Sequence, residues 1–256
     1  YNIYTGLSEN FWTSDLIIWP ETAIPSYYHR ADDFLPGIKS KMHEQDVLFM
    51  SGIAYMESDG RDYYNSVLLI DDKDRFYHKH HLVPFGEYLP FKSVLDEILQ
   101  FLEIPMSNFS AGDPNNKLLT TNKAVFGMSI CYEDAFSNEV LKSIPEADVL
   151  VNISNDAWFG SSWAPHQHLQ IARMRAMETG RYLLRSTNTG ISAIIDNKGR
   201  IVSRSPQFIP HALNAEVNLY SGRTPFSYFG NKMIILPCLL IIMLVIFQRR
   251  YYRNTS

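Results

Sequence analysis

The sequence predicts an α/β or α+β domain built in layers over residues 1–222, followed by one transmembrane helix in residues 223–256. Two observations predict the layers: apolar runs of strand length recur along the chain, and a segment between them carries the signals of a helix. A third observation predicts the membrane helix, because the chain ends in a long apolar run with arginines behind it. A chain of 256 residues, 46% of them hydrophobic, can bury one large core.

Strands are predicted where a short apolar or β-branched run is bounded by turn residues or by proline. Pro20, for example, stops the first run, and the polar turn at residues 71–75 joins two runs into a hairpin. The predicted strands are residues 15–19, 46–55, 65–70, 76–80, 124–130, 148–153, 183–186, 191–195 and 200–202.

One helix is predicted with both of its ends marked. Pro165 suits the first turn of a helix, and Gly180 suits the position just after its last turn. The apolar residues between them recur at helical spacing, which predicts one buried face. That face would be lined by Leu169, Ala172, Ala176 and Met177.

The C-terminal run at residues 233–247 is unbroken apolar sequence. A membrane span needs about 20 residues, and the preceding residues 226–232 bring the run to that length. A core helix is the alternative, but the run has no polar face at any helical period. By the positive-inside rule, the arginines at positions 249, 250 and 253 predict that the C-terminus lies in the cytoplasm and residues 1–222 on the other side of the membrane, which in a bacterium is the periplasm.

Composition limits the partners and the redox state. A net charge of −4 without a basic stripe predicts that nucleic acid is not a partner. The chain has two cysteines, Cys131 in the predicted domain and Cys238 in the apolar run. Cys131 therefore has no disulfide partner, although the periplasm is oxidising. A thiol kept free there is a candidate nucleophile, and a buried structural cysteine is the alternative.

Polar residues at strand ends are where layered α/β folds carry chemistry. Glu21 follows the first predicted strand, Lys79 lies on the second strand of the hairpin, and Cys131 ends a further strand. A carboxylate can accept a thiol proton, and a fixed ammonium can stabilise the oxyanion formed when the thiolate attacks a carbonyl. The three residues form a complete set for acyl transfer. Each also has an ordinary structural interpretation, as a turn cap, a solvated lysine and a core cysteine.

The histidines at this hairpin do not predict a metal site. His78, His80 and His81 lie close in sequence, and on a strand His78 and His80 would share one face. A metal site built on these two histidines would still need a carboxylate or thiolate ligand. The acidic turn at residues 71–74 lacks the glycine and the terminal glutamate of a calcium loop. We therefore predict no metal ion. His166 and His168, near the start of the predicted helix, are interpreted as structural or pocket-lining residues.

Four separated segments resemble one family. They are WPETAIP at residues 19–25, YHKHHLVPFGEY at residues 77–88, ICYE at residues 130–133 and SNDAWFG at residues 154–160. With the apolar C-terminal run, these motifs resemble the nitrilase, or carbon-nitrogen hydrolase, superfamily and, within it, its membrane-bound branch, the apolipoprotein N-acyltransferases. The order glutamate, lysine, cysteine is the order of that superfamily.

The resemblance implies a nitrilase-like α-β-β-α sandwich for residues 1–222. It implies Glu21 as general base, Lys79 as the residue that stabilises the oxyanion and Cys131 as nucleophile. Supporting or substrate-binding roles are implied for Glu87, Tyr132, Glu133, Phe85 and Trp158.

The resemblance leaves alternatives open for several of these roles. Glu87 would assist Lys79 or orient it. Glu133 would either adjust the pKa of the Cys131 thiol or orient the amine of the second substrate. Phe85 belongs to an aromatic and aliphatic stretch at residues 83–91, and Trp158 to another with Trp163. Such side chains would line an acyl pocket or lie at the membrane interface, and core packing is the alternative.

The implied reaction takes a fatty acyl chain from a membrane phospholipid, holds it as a thioester, and passes it to the α-amine of a diacylglyceryl-cysteine at the N-terminus of an apolipoprotein. No cofactor is implied. The implied location is the bacterial inner membrane. The family carries a multi-helix membrane domain and a first strand ahead of the glutamate motif, so this chain is expected to be the C-terminal portion of such an enzyme.

Two other functions use the same residues differently. A membrane-tethered amidase of the nitrilase type would hydrolyse a small amide, with water replacing the amine in the second step. An inactive homologue would act only as a scaffold, although an intact glutamate, lysine and cysteine argue against it.

Overall fold

The protein is described from a computed structural model, which covers residues 2–88 and 108–255. Within these residues the strands form two sheets. The first sheet contains β1 (Leu16–Ile18), β2 (Ile24–Tyr27), β3 (Leu48–Met56), β4 (Tyr63–Ile70) and β5 (Asp74–His78). Its order is β1-β3-β4-β5, with β2 also paired to β3. β1 and β2 run parallel to β3, and the other pairs are antiparallel.

The second sheet is formed by later residues and has six strands in the order β11-β10-β9-β8-β7-β6. Its central strands β7, β8 and β9 are parallel, and the outer pairs are antiparallel. The strands are β6 (Leu118–Thr120), β7 (Val125–Ile130), β8 (Val149–Ser154), β9 (Leu183–Thr187), β10 (Ala193–Ile195) and β11 (Ile201–Arg204).

Helices precede, separate and follow the strands. In the described parts of the chain they are α1 (Asn2–Ser8), α2 (Leu35–Gln45), α3 (Ser137–Val140), α4 (Ala164–Thr179), α5 (Pro225–Phe229) and α6 (Lys232–Thr255). A short 3-10 helix, Cys131–Ala135, directly follows β7.

Alternation along the strands separates three apolar cores. In β3, Met50 packs between the two sheets, while Phe49 packs on the outer side with α2. In β8, Val151 faces the first sheet, while Leu150 packs with α4. Because successive side chains of a strand point to opposite faces, both sheets are buried on both sides. The layers therefore follow the order helix, sheet, sheet, helix.

The predicted mixture of strands and helices is confirmed. Each predicted strand overlaps an observed one, with ends that shift by up to two residues. The short strands β2 and β6 and the helices α1 and α2 were not predicted. Pro25 disfavours the strand β2, and Gly37 disfavours the helix α2, so these local signals oppose the structure that tertiary packing stabilises.

The predicted helix at residues 165–180 is confirmed as α4, with Gly180 in the left-handed conformation at its end. The prediction that Met177 lies on the buried face is wrong, because Met177 is 48% exposed. The buried stripe instead includes the polar residues His168, Arg175 and Thr179. A pattern of hydrophobicity does not find these positions, since their burial depends on hydrogen bonds to other elements.

The C-terminal helix begins later than the prediction. Gly230 has a φ of +55° and ends α5, so the apolar run does not continue from residue 226 as one helix. α6 begins at Lys232. Its segment Lys232–Tyr251 has a mean hydropathy of 2.1, and none of it is buried against the rest of the protein. By length and composition this segment can cross a membrane.

Candidate active site

Glu21 lies in the turn that follows β1, against the neighbouring strand β3. A Cβ at Gly52 of β3 would lie 2.6 Å from the Cα of Glu21 and 2.5 Å from the backbone nitrogen of Thr22. Only glycine allows the two backbones to approach this closely. The position of Glu21 therefore depends on Gly52, a residue without any side chain to mark it in the sequence.

The carboxylate of Glu21 is buried, and each of its two oxygens accepts a hydrogen bond. Asn65 Nδ2 donates a hydrogen bond to Glu21 Oε1 (2.7 Å), and the backbone N–H of Asn155 donates to Oε2 (2.6 Å). Burial raises the pKa of Glu21, and the nearby ammonium of Lys79 only partly offsets this effect. A carboxylate with a raised pKa is a better proton acceptor, which is what a general base requires.

Lys79 is 1% exposed and lies one residue beyond the end of β5, not on the strand as predicted. Its backbone N–H still donates to the carbonyl of Asn65 (2.8 Å), which extends the sheet pairing by one residue. Its Nζ donates to Glu87 Oε1 (2.8 Å) and lies 3.8 Å from Glu21 Oε1. Burial alone would lower the pKa of Lys79, but Glu21, Cys131 and Glu87 together hold it above its ordinary value. The side chain is a permanent buried cation.

Glu87 connects these groups. Its Oε1 accepts from Lys79 and also from Asn65 Nδ2 (3.0 Å), while its Oε2 accepts from the backbone N–H of Val83 (2.8 Å). Asn65 therefore donates to both Glu87 and Glu21. Asn65 was not predicted as a site residue, because its only signal in the sequence is a polar side chain shortly before the apolar run at residues 67–70.

Cys131 is the first residue after β7 and has a φ of +53°. This left-handed conformation is uncommon for any residue other than glycine and must be held by its surroundings. Burial raises the pKa of the thiol to about 12, and the charge of Glu21 adds to this effect, while Lys79 and a hydrogen bond with Ser154 oppose it. The thiol is therefore protonated at rest and reacts only if its proton is removed.

Hydrogen bonds to Glu133 connect the segment around Lys79 with the segment around Cys131. Its Oε1 accepts from the backbone N–H groups of His80 (2.9 Å) and His81 (3.0 Å), which follow Lys79. Its Oε2 accepts from Tyr77 Oη (2.7 Å) and from the backbone N–H of Ile130 (2.8 Å), which precedes Cys131. The four bonds occupy both oxygens, so little capacity remains for a substrate amine.

The remaining sequence-derived candidates lie nearer the surface. Tyr132 is half-buried and packs edge-on against Phe136, with ring centroids 5.0 Å apart. Phe85 is 62% exposed and Trp158 is 88% exposed. Of the aromatic stretch at residues 83–91, Leu89, Pro90 and Phe91 lie outside the described residues.

The three hairpin histidines have separate partners. His78 Nδ1 lies 2.7 Å from Ser66 Oγ, and His80 Nδ1 lies 3.0 Å from the carbonyl oxygen of Gly112. His81 Nδ1 lies 2.9 Å from Glu139 Oε1. Each of the three rings therefore interacts with a different part of the protein. Burial lowers the pKa of His78 to about 4.

The arrangement brings a protonated thiol, a carboxylate of raised pKa and a buried ammonium into one place. The carboxylate can take the thiol proton, and the ammonium can stabilise an oxyanion, which are the requirements of acyl transfer through a thioester. The geometry thus unites the three residues that lie 58 and 52 positions apart in the sequence (79 − 21 and 131 − 79).

Comparison with curated proteins finds close relatives. A protein of Methylococcus capsulatus named apolipoprotein N-acyltransferase is 44% identical over 99% of this chain and 50% of its own length. Proteins of the same name from Vibrio vulnificus and Nitrosomonas europaea are 38% and 40% identical, over 96% and 90% of this chain and 51% and 47% of their own. The chain spans about half the length of the curated relatives it matches.

Solved structures share the fold. A carbon-nitrogen hydrolase from Helicobacter pylori superposes with a TM-score of 0.58 at 14% identity, over 80% of this chain and 78% of that one. A glutamine-dependent NAD+ synthetase from Acinetobacter baumannii superposes with a TM-score of 0.56 at 19% identity, over 86% of this chain and 41% of that one. The sequence model of the carbon-nitrogen hydrolase family matches residues 3–224. With that match over most of its length, the chain belongs to the carbon-nitrogen hydrolase family.

Proposed function

We propose that this chain is the catalytic part of an apolipoprotein N-acyltransferase. The enzyme moves a fatty acyl chain from a membrane phospholipid to the α-amine of the N-terminal diacylglyceryl-cysteine of a lipoprotein. The observation that carries the proposal is the buried grouping of Glu21, Lys79 and Cys131. It occurs in a chain whose relatives at 36–44% identity bear that enzyme's name.

In the first half-reaction, Cys131 Sγ attacks the carbonyl carbon of a phospholipid ester while its proton passes to Glu21. The oxyanion forms beside the ammonium of Lys79, which stabilises it without being consumed. Collapse of this intermediate breaks the ester C–O bond. The lysophospholipid oxygen leaves with the proton returned by Glu21, and the acyl chain remains on Cys131 as a thioester.

In the second half-reaction, the neutral amine of the diacylglyceryl-cysteine attacks the thioester carbonyl. Glu21 accepts one proton from the amine nitrogen, and Lys79 again stabilises the oxyanion. The C–S bond then breaks, and the Cys131 thiolate takes the proton back from Glu21. The products are an amide and the regenerated thiol.

Five further residues complete the proposed site. Glu87 holds Lys79 in position, and Glu133 and Tyr132 support the segment of Cys131. Phe85 and Trp158, both exposed, are proposed to contact acyl chains or the membrane interface, where large aromatic side chains are favoured.

The proposal places the protein in the bacterial inner membrane, with residues 1–222 in the periplasm. α6 would cross the bilayer, and Arg249 and Arg250 would lie in the cytoplasm. Fusing a reporter to the C-terminus tests this orientation. Fluorescent protein, which folds in the cytoplasm, should be bright there, and alkaline phosphatase, which needs the oxidising periplasm, should be inactive. The opposite result would reverse the orientation.

Intact-protein mass spectrometry tests the chemistry. The whole protein in detergent is incubated with phosphatidylethanolamine, beside its Cys131→Ala variant. A fatty acyl adduct that hydroxylamine removes, found on the parent alone, supports the thioester. A folded protein with a reactive thiol but no adduct would favour the amidase, and sustained hydrolysis of a small amide without transfer to a lipopeptide amine would establish it.

A further inference from the structure

A buried group of charged and polar side chains lies directly behind Cys131. We call it the buried charge cluster. Its members come from the 3-10 helix Cys131–Ala135, from a second 3-10 helix at Asp156–Phe159, from α4, and from strands β8 and β9 of the second sheet. They are Asp134, Asn152, Asp156, His168 and Arg185. The catalytic steps proposed above use none of them. Their burial away from solvent nevertheless requires that each be paired.

The carbonyl oxygen of Cys131 is the point where the cluster meets the site. Asn152 Nδ2 donates to it at 3.0 Å, and His168 Nε2 lies 3.2 Å from it. His168 Nε2 also lies 3.0 Å from Asp134 Oδ1. Both neighbours of Nε2 are acceptors, so this nitrogen carries a proton whether the ring is neutral or charged. His168 is therefore a donor to the nucleophile's own backbone.

The other ring nitrogen is held by two charged groups. His168 Nδ1 lies 3.1 Å from Asp156 Oδ1 and 2.8 Å from Arg185 Nη2, and Arg185 Nη2 also donates to Asp156 Oδ2 at 3.0 Å. Asp134 and Asp156 supply two negative charges and Arg185 supplies one positive charge. An imidazolium at His168 would make the cluster neutral, which favours its burial. The ring is thus fixed from both sides.

We propose that His168 is a positioning residue for the nucleophile: its Nε2–H, together with the amide of Asn152, holds the carbonyl of Cys131 and so keeps that residue in its left-handed conformation beside Glu21 and Lys79. This inference rests on the proposed function only in taking Cys131 as the nucleophile. It does not depend on which acyl donor or acceptor is used.

A pair of isosteric substitutions separates positioning from simple stability. In His168→Gln, the side-chain amide reaches the place of Nε2 and can still donate to Cys131. In His168→Asn, the amide reaches only the place of Nδ1, so the Cys131 carbonyl loses a donor. His166 lies exposed on the same helix, and His166→Asn serves as the matched control.

Two rates are measured on the whole protein carrying Cys238→Ala, so that Cys131 is the thiol of this chain that reacts. One is formation of the acyl-enzyme at saturating phosphatidylethanolamine, and the other is alkylation by iodoacetamide without substrate. We expect His168→Asn to slow acyl-enzyme formation at least tenfold with little change in KM. Alkylation should become faster, because a thiol released from its buried place regains an ordinary pKa. His168→Gln and His166→Asn should stay near the parent.

Circular dichroism and thermal unfolding establish that each variant is folded. Equal acylation and alkylation rates in folded His168→Gln and His168→Asn would overturn the inference and leave His168 a structural residue. If His168→Asn does not fold, a folded His168→Gln with parental rates still supports a donor at Nε2, and one that loses acylation contradicts it. An acyl adduct on Cys131→Ala would instead refute the proposed function, while the alkylation rates still test the position of the thiol.

Discussion

Lys79 Nζ lies 2.8 Å from Glu87 but 3.8 Å from Glu21. The ammonium therefore forms its hydrogen bond with Glu87. The carboxylate of Glu21 instead accepts hydrogen bonds from the side-chain amide of Asn65 and from the backbone N–H of Asn155. A base that was tightly paired to a cation would be a weak proton acceptor. Because Glu87 forms the close ion pair with Lys79, Glu21 does not, and Lys79 still stays beside Glu21.

Replacing Glu87 by glutamine should therefore impair the enzyme. Both oxygens of Glu87 accept hydrogen bonds, one from Lys79 and Asn65 and the other from the backbone of Val83, so the amide group of glutamine faces a donor in either orientation. An unsatisfied buried group costs about 1–3 kcal/mol, so Lys79 should shift towards its other carboxylate neighbour, Glu21. A loss of about 1–3 kcal/mol of transition-state stabilisation by this shift corresponds to a roughly 5- to 150-fold loss of kcat/KM. Steady-state acyl transfer measures it, with the exposed Glu57→Gln as control. Parental activity in Glu87→Gln would show that Glu87 has no such role.

Replacing Glu21 by glutamine should move two rates in opposite directions. Acyl transfer should be almost abolished because no base remains. Alkylation of Cys131 by iodoacetamide should become faster, because the charge of Glu21 raises the pKa of the thiol. Below that pKa, the thiolate fraction grows about tenfold for each pH unit by which the pKa falls. Slower alkylation in Glu21→Gln would mean that the carboxylate does not act on the thiol as described.

Glu133→Gln should lower both stability and activity. Each carboxylate oxygen accepts two hydrogen bonds, so the glutamine NH2 group faces two donors in either orientation. With about 1–3 kcal/mol for each of the two unsatisfied donors, we expect a loss of about 2–6 kcal/mol in the free energy of unfolding. Denaturant unfolding in detergent measures this loss. The exposed Glu146→Gln is the control, and a stability equal to that control would contradict the role of Glu133.

Gly52→Ala tests the close approach of β3 to the Glu21 turn. The added Cβ would meet the backbone of Glu21 and Thr22 at 2.5–2.6 Å, so the turn must shift and move Glu21. A misplacement of about 1 Å at an active site can lower the rate about a hundredfold. Acyl transfer should fall by that order, while Gly37→Ala should have no effect, since nothing lies within 4 Å of a Cβ there. Equal activity in the two variants would refute the role of Gly52.

The buried charge cluster should make stability depend on pH. Burial alone would lower the pKa of His168, but Asp134 and Asp156 outweigh this effect and the charge of Arg185, and the pKa rises from 6.5 to about 8. A raised folded-state pKa gives stability that is complete below about pH 6.5 and is lost as the pH rises through about 8. The difference corresponds to about 2 kcal/mol.

Unfolding free energies at about pH 6 and about pH 9 check this expectation. The parent should lose about 2 kcal/mol more over this range than His168→Gln, whose side chain does not titrate. Other groups titrate alike in both proteins, so the comparison isolates His168. An identical pH dependence in the two proteins would show that the pKa of His168 is the same in the folded and unfolded states.

Much of the fold was predictable because its signals are local. Strand β8 begins with an apolar run of valine and leucine, and α4 has a proline in its first turn and Gly180 after its last residue. The proposed catalytic residues Glu21, Lys79 and Cys131 were found from polar positions near strand ends and from the family motifs around them. Their roles stay predictions until the variants are measured.

Sequence alone thus determined the fold class, the family and the candidate nucleophile, base and cation, because each depends on residues adjacent in the chain. The tertiary structure decided what holds them: Asn65 and Asn155 bind Glu21 from 44 and 134 positions away. It likewise decided that His168 is buried behind Cys131 while Met177 on the same helix is exposed. Hydrogen bonds between distant segments leave no periodic or compositional mark, since a buried polar residue is recognisable only by the partners that surround it.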